Sequence, residues 1–276
     1  MTPTVVLLGN LLVDDLVFAD GRTRMGQAGG AILYAALSAR LWGAAAGCVS
    51  VAGSDYPQRM LDTLAGLGVN LDGVRRLQHP GVRAWLLYED GVRQLIHRIG
   101  CPTHEEVSPG PAQIPASWRS ARAFHLAPMP FGVQHALVQS LAADSTRFVS
   151  IDPHGPVTEE SLPRWRDALA HADAFFPGDD ELLLADADND PRAVLPRLAC
   201  GRLRFVALTR GAKGGLLFDA HERSFHEWRA PVERVVDPTG AGDAFALGFV
   251  TAHLDGQPIE HCLRQGHVAA SYALEA

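Results

Sequence analysis

The sequence of 276 residues is poor in cysteine and has no long uncharged apolar run. Its four cysteines, Cys48, Cys101, Cys200 and Cys262, lie far apart, and no pair has the spacing of metal ligands or of a redox motif. We therefore expect no disulfide framework in a chain of this size, and reduced thiols are typical of a cytosolic protein. The first residues carry no basic charge, and the apolar run after them is too short for a signal peptide or a membrane span. We expect a cytoplasmic protein with no membrane partner.

Basic residues form no stripe along the chain. The net charge is −7, from 24 Lys and Arg against 31 Asp and Glu, which argues against nucleic acid as a partner. None of the 12 histidines has the spacing of a zinc site, and the chain contains no internal repeat or low-complexity linker. Hydrophobic residues make up 47% and charged residues 20%, a balance that can build a large core. We expect one domain over residues 1–276.

Short apolar segments alternate with longer ones that have helical periodicity. Strands are predicted at residues 5–8, 46–52, 123–126, 148–151, 174–176, 205–208 and 214–219. Helices are predicted at residues 31–42, 56–67, 132–142, 161–170, 179–185, 192–198, 241–254 and 259–274. Repeated strand–helix units indicate an α/β fold with a mostly parallel central sheet flanked by helices.

Two stretches do not fit this alternation. Residues 11–26 and 82–99 have strand character, and the second contains an acidic-glycine turn at residues 89–91 that favours a hairpin. We expect the two stretches to pair into a small separate sheet that acts as a lid. The exposed edges of such a sheet favour a homodimer. Residues 101–118 are rich in proline and predict an irregular connection.

The most informative segment is residues 235–245, which read Val-Val-Asp-Pro-Thr-Gly-Ala-Gly-Asp-Ala-Phe before a long apolar helix. Gly240, Ala241 and Gly242 leave the backbone bare at the helix start, where free N–H groups and the positive end of the dipole favour an anion. Asp243 is one turn away, where a carboxylate can take a proton from a nucleophile that attacks a bound phosphoryl group. The alternative for a lone Gly-x-Gly-Asp is an aspartate that caps a buried helix.

Residues 237–245 resemble the carboxyl-terminal signature of the ribokinase-like (PfkB) carbohydrate kinase family. Residues 9–14, 28–31, 51–55 and 208–214 resemble further motifs of that family, in the same order. The resemblance implies a ribokinase-like fold and ATP- and Mg²⁺-dependent phosphorylation of a hydroxyl on a sugar, polyol, cyclitol or nucleoside.

The resemblance also implies a role for individual residues. Asp243 would be the general base, and Gly240, Ala241 and Gly242 would form the anion hole. Thr209, Gly211, Gly214, Thr239 and His267 would bind the nucleotide. Asp14, Gly29, Gly30 and Tyr34 would bind the acceptor, and Glu181 would lie on the metal side. Packing remains an alternative for His267, and a solvated turn remains one for Asp14.

Several positions depart from the family pattern. Gly178 replaces the asparagine of the metal-side Asn-x-x-Glu motif, so that Glu181 remains alone. Asp179 and Asp180 either substitute for that asparagine or serve as charges at a helix start. Tyr34 replaces a polar residue of ribokinases, and it would narrow the acceptor pocket or stack on a flat ligand. Residues 125–130 contain no carboxylate, and the given sequence ends before the element that often closes the adenine pocket.

Three functions therefore stay open. The leading one is a kinase for a small sugar, polyol or cyclitol. The second is a nucleoside kinase of the same fold, and the third is a ligand-binding relative with weak activity. A Rossmann dehydrogenase is disfavoured because Gly9 stands alone after the first strand.

Overall fold

The computed structural model describes residues 2–89, 92–185, 190–229 and 239–275, without the side chains of residues 92 and 93. The strands are β1 (Val5–Leu8), β2 (Leu12–Val17), β3 (Thr23–Gly29), β4 (Ala46–Ala52), β5 (Asn70–Arg76), β6 (Arg83–Glu89), β7 (Val92–His97), β8 (Ala123–Leu126), β9 (Phe148–Ile151), β10 (Val157–Thr158), β11 (Ala174–Phe175), β12 (Leu182–Leu183), β13 (Phe205–Thr209), β14 (Gly215–Asp219) and β15 (Ser224–Trp228). The helices are α1 (Ala31–Leu41), α2 (Gln58–Gly66), α3 (His104–Val107), α4 (Phe131–Leu141), α5 (Leu162–Leu169), α6 (Pro191–Val194), α7 (Ala241–Leu254) and α8 (Ile259–Glu275).

Nine strands form the central sheet in the order β15-β14-β13-β11-β9-β8-β1-β4-β5. All neighbours from β13 to β5 are parallel, and only β14 and β15 are antiparallel. The predicted α/β fold with a mostly parallel sheet is therefore confirmed.

Both faces of this sheet are covered by helices. In β1, Val5 and Leu7 pack into one apolar cluster with α1, α2, α7 and α8, whereas Val6 and Leu8 pack into the other with α4 and α5. An all-apolar strand is the pattern of a strand that is buried on both faces. The core therefore lies in two layers, and ligands are left with the edge where the parallel strands end.

A second sheet of four strands, the small sheet, has the order β3-β2-β6-β7. It contains the stretches 11–26 and 82–99, and β3 continues as far as Gly29. An ion pair between the buried Asp15 and the partly exposed Arg83 joins its strands. Arg83 donates two hydrogen bonds to Asp15, at 2.6 and 2.7 Å, and the Gly26 N–H donates a third at 2.7 Å. These three bonds lower the pKa of the Asp15 carboxyl.

We expect Asp15→Asn to lower the free energy of unfolding by about 2 kcal/mol at pH 7, because Arg83 would keep its charge without a partner. Since the pKa of Asp15 is lower in the folded protein, the ion pair stabilises above pH about 4 and is lost as the pH falls through the folded pKa. Denaturant unfolding at pH 7 and pH 3 is the measurement, and the difference between variant and wild type should shrink at pH 3. Asp20→Asn, which breaks the exposed Arg22–Asp20 pair, is the control and should leave stability unchanged. A pH-independent difference would contradict this interpretation.

One predicted helix is wrong. Residues 179–185 begin with a turn, in which the N–H groups of Glu181 and Leu182 both donate to the Gly178 carbonyl at 3.1 Å. Leu182–Leu183 then pairs with β10 as a short parallel strand. The Glu181 side chain turns back to accept a hydrogen bond from the Gly178 N–H at 2.8 Å, which holds this turn instead of a helix.

Strands β5 and β15 were not predicted. These are the two edge strands of the central sheet, and they carry polar residues because one side of each faces solvent. Two other predictions, the turn at residues 90–91 and the strand end at residues 235–238, lie outside the described residues.

Candidate active site

Predicted site residues, together with polar residues that were not predicted, lie where the parallel strands of the central sheet end. Asn10 follows β1, Asp152 follows β9, the turn at residues 178–181 follows β11, and Thr209 ends β13. The amino terminus of α7 lies at the same edge, where ligands bind in open α/β sheets. Sequence motifs that are far apart along the chain are thereby brought together.

The first turn of α7 leaves space for an anion. Gly240 has φ +79°, and a β-carbon there would lie 2.1 Å from the ring of Tyr34, so only glycine fits beneath that ring. Gly242, the second residue of the helix, is exposed, and a β-carbon there would meet no atom within 4 Å. Backbone N–H groups at such an open helix start are suited to bind phosphate.

Asp243 lies in this first turn, close to two other carboxylates. Burial raises the pKa of Asp152 well above its usual value, and the charges of Asp243 and Glu181 raise it further. Burial likewise raises the pKa of Glu181 to about 7, and the charges of Asp180 and Asp243 contribute to this increase. Three carboxylates that disfavour each other's ionisation would be relieved by a bound cation. Sequence reasoning missed Asp152, although a carboxylate directly after a buried strand is a usable signal.

The turn after β11 contains Gly178, which stands where the resembling family has an asparagine. A β-carbon at Gly178 would lie 2.7 Å from Asp180 Oδ1, so the Asp180 carboxylate occupies the space where a longer side chain at Gly178 would begin. Asp179 instead pairs with Arg210, at 3.6 Å. Two roles were predicted as alternatives for Asp179 and Asp180: a substitute for the asparagine, or charges at the start of a helix. The second role is wrong, because the described residues 179–185 form no helix.

These carboxylates fit Mg²⁺ that keeps several waters and is shared with nucleotide phosphates, which is how this ion usually binds. Across the part of the chain that the structure describes, no group of three His, Cys, Asp or Glu side chains is placed to hold a metal ion by itself. Glu181 is thus a candidate for holding Mg²⁺ through water rather than in a closed cage.

The residues that were predicted to bind an acceptor lie together beside the small sheet. A β-carbon at Gly29 would lie 2.0 Å from Asp14 Oδ2, so the buried Asp14 carboxylate rests directly on that glycine. A β-carbon at Gly30, which has φ +108°, would lie 2.2 Å from the Asn10 carbonyl oxygen. A cavity of about 180 Å³ opens beside them. Its lining residues are Asp14, Leu16, Arg24, Gln27, Ala28, Tyr34, Leu86, Thr239 and Ala273.

The residues that were predicted to bind a nucleotide do not all lie together. The loop after β13 is closed by a hydrogen bond from the Arg210 N–H to the Gly214 carbonyl at 2.8 Å, and it contains Gly211. His267 of α8 lines a separate cavity of about 430 Å³ together with Trp228. Burial lowers the pKa of the His267 imidazole. The predicted nucleotide residues therefore divide between the loop after β13 and this cavity, and Thr239 lies with the acceptor residues.

One contact across the cleft was not predicted. The Tyr88 hydroxyl of β6 lies 3.4 Å from Thr239 Oγ1, and the Tyr88 ring stacks on Phe18 with centroids 5.5 Å apart. The small sheet thus touches the loop that leads into the anion-binding turn. No sequence pattern pairs these residues, because they are separated by about half of the chain.

Comparisons with known proteins show which family and which solved fold this chain resembles. The family described as pfkB family carbohydrate kinase matches residues 12–276. A cytidine kinase of Thermococcus kodakarensis is 32% identical over 268 residues, which cover 95% of this chain and 92% of that protein. An acarbose 7(IV)-phosphotransferase of Actinoplanes sp. is 40% identical over 123 residues, which cover 43% of this chain and 41% of that protein. Arabidopsis thaliana ribokinase, solved in complex with ribose and ATP, has the same fold, with a TM-score of 0.77 at 23% identity over 100% of this chain and 94% of that chain.

Within residues 2–89, 92–185, 190–229 and 239–275, no helix is long and apolar enough to cross a membrane.

Proposed function

Because the chain belongs to the pfkB family of carbohydrate kinases, we propose that it transfers the terminal phosphoryl group of ATP to a hydroxyl of a nucleoside. Kinase activity follows from family membership, and the choice of a nucleoside is the finer step. Two observations support that choice: the similarity to a cytidine kinase extends over 95% of the chain, and the ring-bearing side chain of Tyr34 lines the cavity beside Asp14.

The chemistry proposed for the site uses groups of this chain. Asp243 accepts the proton of the acceptor hydroxyl as its oxygen attacks the phosphorus atom. The open backbone N–H groups at Gly240, Ala241 and Gly242 stabilise the charge that develops on the transferred phosphoryl group. Mg²⁺, when bound with ATP near Glu181, would neutralise phosphate charge.

The acceptor is held by residues of two elements. The Asp14 carboxylate, placed over Gly29, can accept hydrogen bonds from two hydroxyls of one sugar ring. Tyr34 lies between this carboxylate and the anion-binding turn, because its ring covers Gly240 while its side chain lines the acceptor cavity. The acceptor hydroxyl is thereby oriented toward Asp243.

The assignment is tested by ATP turnover with a panel of acceptors under one set of conditions. The panel contains cytidine, uridine, adenosine and inosine, with ribose, fructose and myo-inositol as acceptors without a base. We expect the highest kcat/KM with a nucleoside. A sugar or inositol that is phosphorylated more efficiently than every nucleoside would overturn the nucleoside proposal. It would support a kinase for a small sugar, polyol or cyclitol, which is the leading function predicted from the sequence. The partial similarity to an acarbose phosphotransferase is the observation that supports this second candidate.

We further propose that the small sheet acts as a lid. The hydrogen bond between Tyr88 and Thr239 connects the small sheet to the residue that precedes the anion-binding turn. Closure of the small sheet would keep water from the phosphoryl group. Hydrogen exchange should therefore slow in residues 11–26 and 82–89 when acceptor and a non-hydrolysable ATP analogue are both bound. Exchange in α4, on the opposite layer of the core, should not change. Equal exchange in the small sheet with and without ligands would contradict the lid.

The outer face of the small sheet fits a homodimer. Trp85 and Ile96 pair across β6 and β7, and they are 36% and 49% exposed. We propose that this face packs against a second copy of the chain. Sedimentation equilibrium should give twice the monomer mass for the wild type. The double variant Trp85→Glu, Ile96→Glu should be a monomer. A monomeric wild type at micromolar concentration would exclude this assembly.

A further inference from the structure

Three histidines from separate parts of the chain meet beside the acceptor cleft. His97 ends β7, His104 begins α3, and His154 lies in the loop after β9. The rings of His97 and His104 form an edge-to-face pair with centroids 5.0 Å apart. The rings of His104 and His154 lie 4.9 Å apart. The mechanism proposed above uses none of these imidazoles.

The strand register places this cluster on the same face as the acceptor residues. Asp14 of β2 pairs with Ala84 of β6, and Ala84 pairs with His97 of β7. Paired residues of neighbouring strands share a face, so Asp14 and His97 point to the same side with only an alanine between them. Two strand spacings separate them by about 10 Å. That distance is comparable with the length of a nucleoside whose sugar binds Asp14.

The neighbouring row of the small sheet is apolar. Leu16 pairs with Leu86, and Leu86 pairs with Leu95. Leu16 and Leu86 line the acceptor cavity, and Leu95 is 50% exposed on the same face. An apolar row beside the row that contains His97 suits a flat, partly apolar ring better than it suits a polyol.

Two polar atoms in this region have no hydrogen-bond partner among the residues that the structure describes. They are Nε2 of His104 and Nδ2 of Asn10, a residue that is only 4% exposed. The Ser108 hydroxyl lies 2.9 Å from Asn10 Oδ1 and 2.6 Å from the His104 carbonyl, so it links the two residues. Buried polar atoms are normally paired, and a ligand would pair these.

The His104 imidazole is neutral at physiological pH. Burial lowers its pKa to about 4, and the neighbouring His154 and His97 lower it in the same direction. A neutral imidazole has one donor and one acceptor nitrogen, and the Asn10 amide nitrogen adds donors. This is the kind of set that a nucleobase edge can complement.

We propose that His97, His104 and Asn10 form a subsite for the heteroaromatic base of the acceptor. The inference rests on the proposed nucleoside kinase function and assigns the residues that recognise the base. His97 stacks on the base, while His104 and Asn10 hydrogen-bond to its edge. Ribose or another acceptor without a base leaves this subsite empty.

The test compares cytidine with ribose for the wild type, His104→Ala, His104→Phe and the control His221→Ala. His221 is an exposed histidine in the turn between β14 and β15, far from the cleft along the sheet. We expect both His104 variants to lose roughly 10- to 100-fold in kcat/KM for cytidine, because a hydrogen bond to the base edge is lost. Turnover of ribose should not change, and the control should match the wild type with both acceptors.

Each outcome separates this inference from the proposed function. If the wild type phosphorylates cytidine but the His104 variants lose activity equally with both acceptors, or with neither, the base subsite is overturned and the nucleoside kinase stands. If the wild type phosphorylates ribose and no nucleoside, the nucleoside function itself fails.

Imidazole NMR of the wild type gives a readout that does not depend on turnover or on a folded variant. Adding cytidine without ATP should shift the ring-proton resonances of His97 and His104 but not those of His221. Ribose should leave all three in place. Unchanged His97 and His104 resonances at saturating cytidine would overturn the subsite.

Discussion

Replacing Asp243 by asparagine is expected to lower kcat by roughly 10²- to 10⁴-fold, the usual contribution of a general base. The amide is nearly the same size as the carboxylate and cannot accept the hydroxyl proton. It can still hydrogen-bond at the first turn of α7, so the fold and nucleotide binding should be kept. The measurement is steady-state phosphorylation of the preferred acceptor, with nucleotide affinity from calorimetry.

The matched control for this prediction lies on the same helix. Asp255→Asn makes the identical change at the exposed carboxyl-terminal end of α7 and should leave kcat unchanged. If Asp243→Asn retained near wild-type kcat, the base would have to be another carboxylate, and Asp152 and Asp14 would be the first candidates.

Replacing Gly242 by alanine is expected to separate stability from activity. Gly242 is the second residue of α7, it has helical geometry, and a β-carbon there meets no protein atom within 4 Å. Alanine should therefore raise the free energy of unfolding by about 0.5–1 kcal/mol through helix propensity and a less flexible unfolded chain. The same methyl group would project into the space left for phosphate. We expect kcat/KM for ATP to fall roughly 10²- to 10³-fold, as when a donor to the developing negative charge is lost.

The chain offers a close control for that substitution. Gly132 is the second residue of α4, it is exposed, and a β-carbon there also meets nothing within 4 Å. Gly132→Ala should give the same gain in stability without any loss of activity. If Gly242→Ala were as active as Gly132→Ala, the turn before Asp243 would not be the phosphate site.

The apolar strands and the long helices were predictable from the sequence, and the reason is burial. Ala46–Ala52 and Ala241–Leu254 are buried along most of their length, so their apolar patterns predicted their bounds directly. The edge strands β5 and β15 were missed because half of their residues face solvent. The helix predicted at residues 179–185 was wrong because the Glu181 side chain bonds to the backbone of its own turn, a contact that periodicity does not describe.

The candidate site could be predicted where a role depends on a local motif. Gly240 and Asp243 stand in one short segment, and their closeness to Tyr34 and Asp152 appears only when the sheet is assembled. Asp14 and His97 are 83 positions apart, and only the register of three strands places them on one face. The pairing register of strands that are distant in the sequence could not be predicted from residue patterns. The part of the site that depends on this register could therefore not be predicted either.

The most direct test of the central claim is the product of the reaction between ATP, Mg²⁺ and cytidine, observed by ³¹P NMR with proton coupling. We expect a new phosphomonoester signal split by a methylene group, which would show that the primary hydroxyl of the nucleoside has been phosphorylated. The signal should not form at a comparable rate with Asp243→Asn. The appearance of inorganic phosphate alone, or of a phosphomonoester only when a sugar replaces cytidine, would contradict the proposal that this cleft is the active site of a nucleoside kinase.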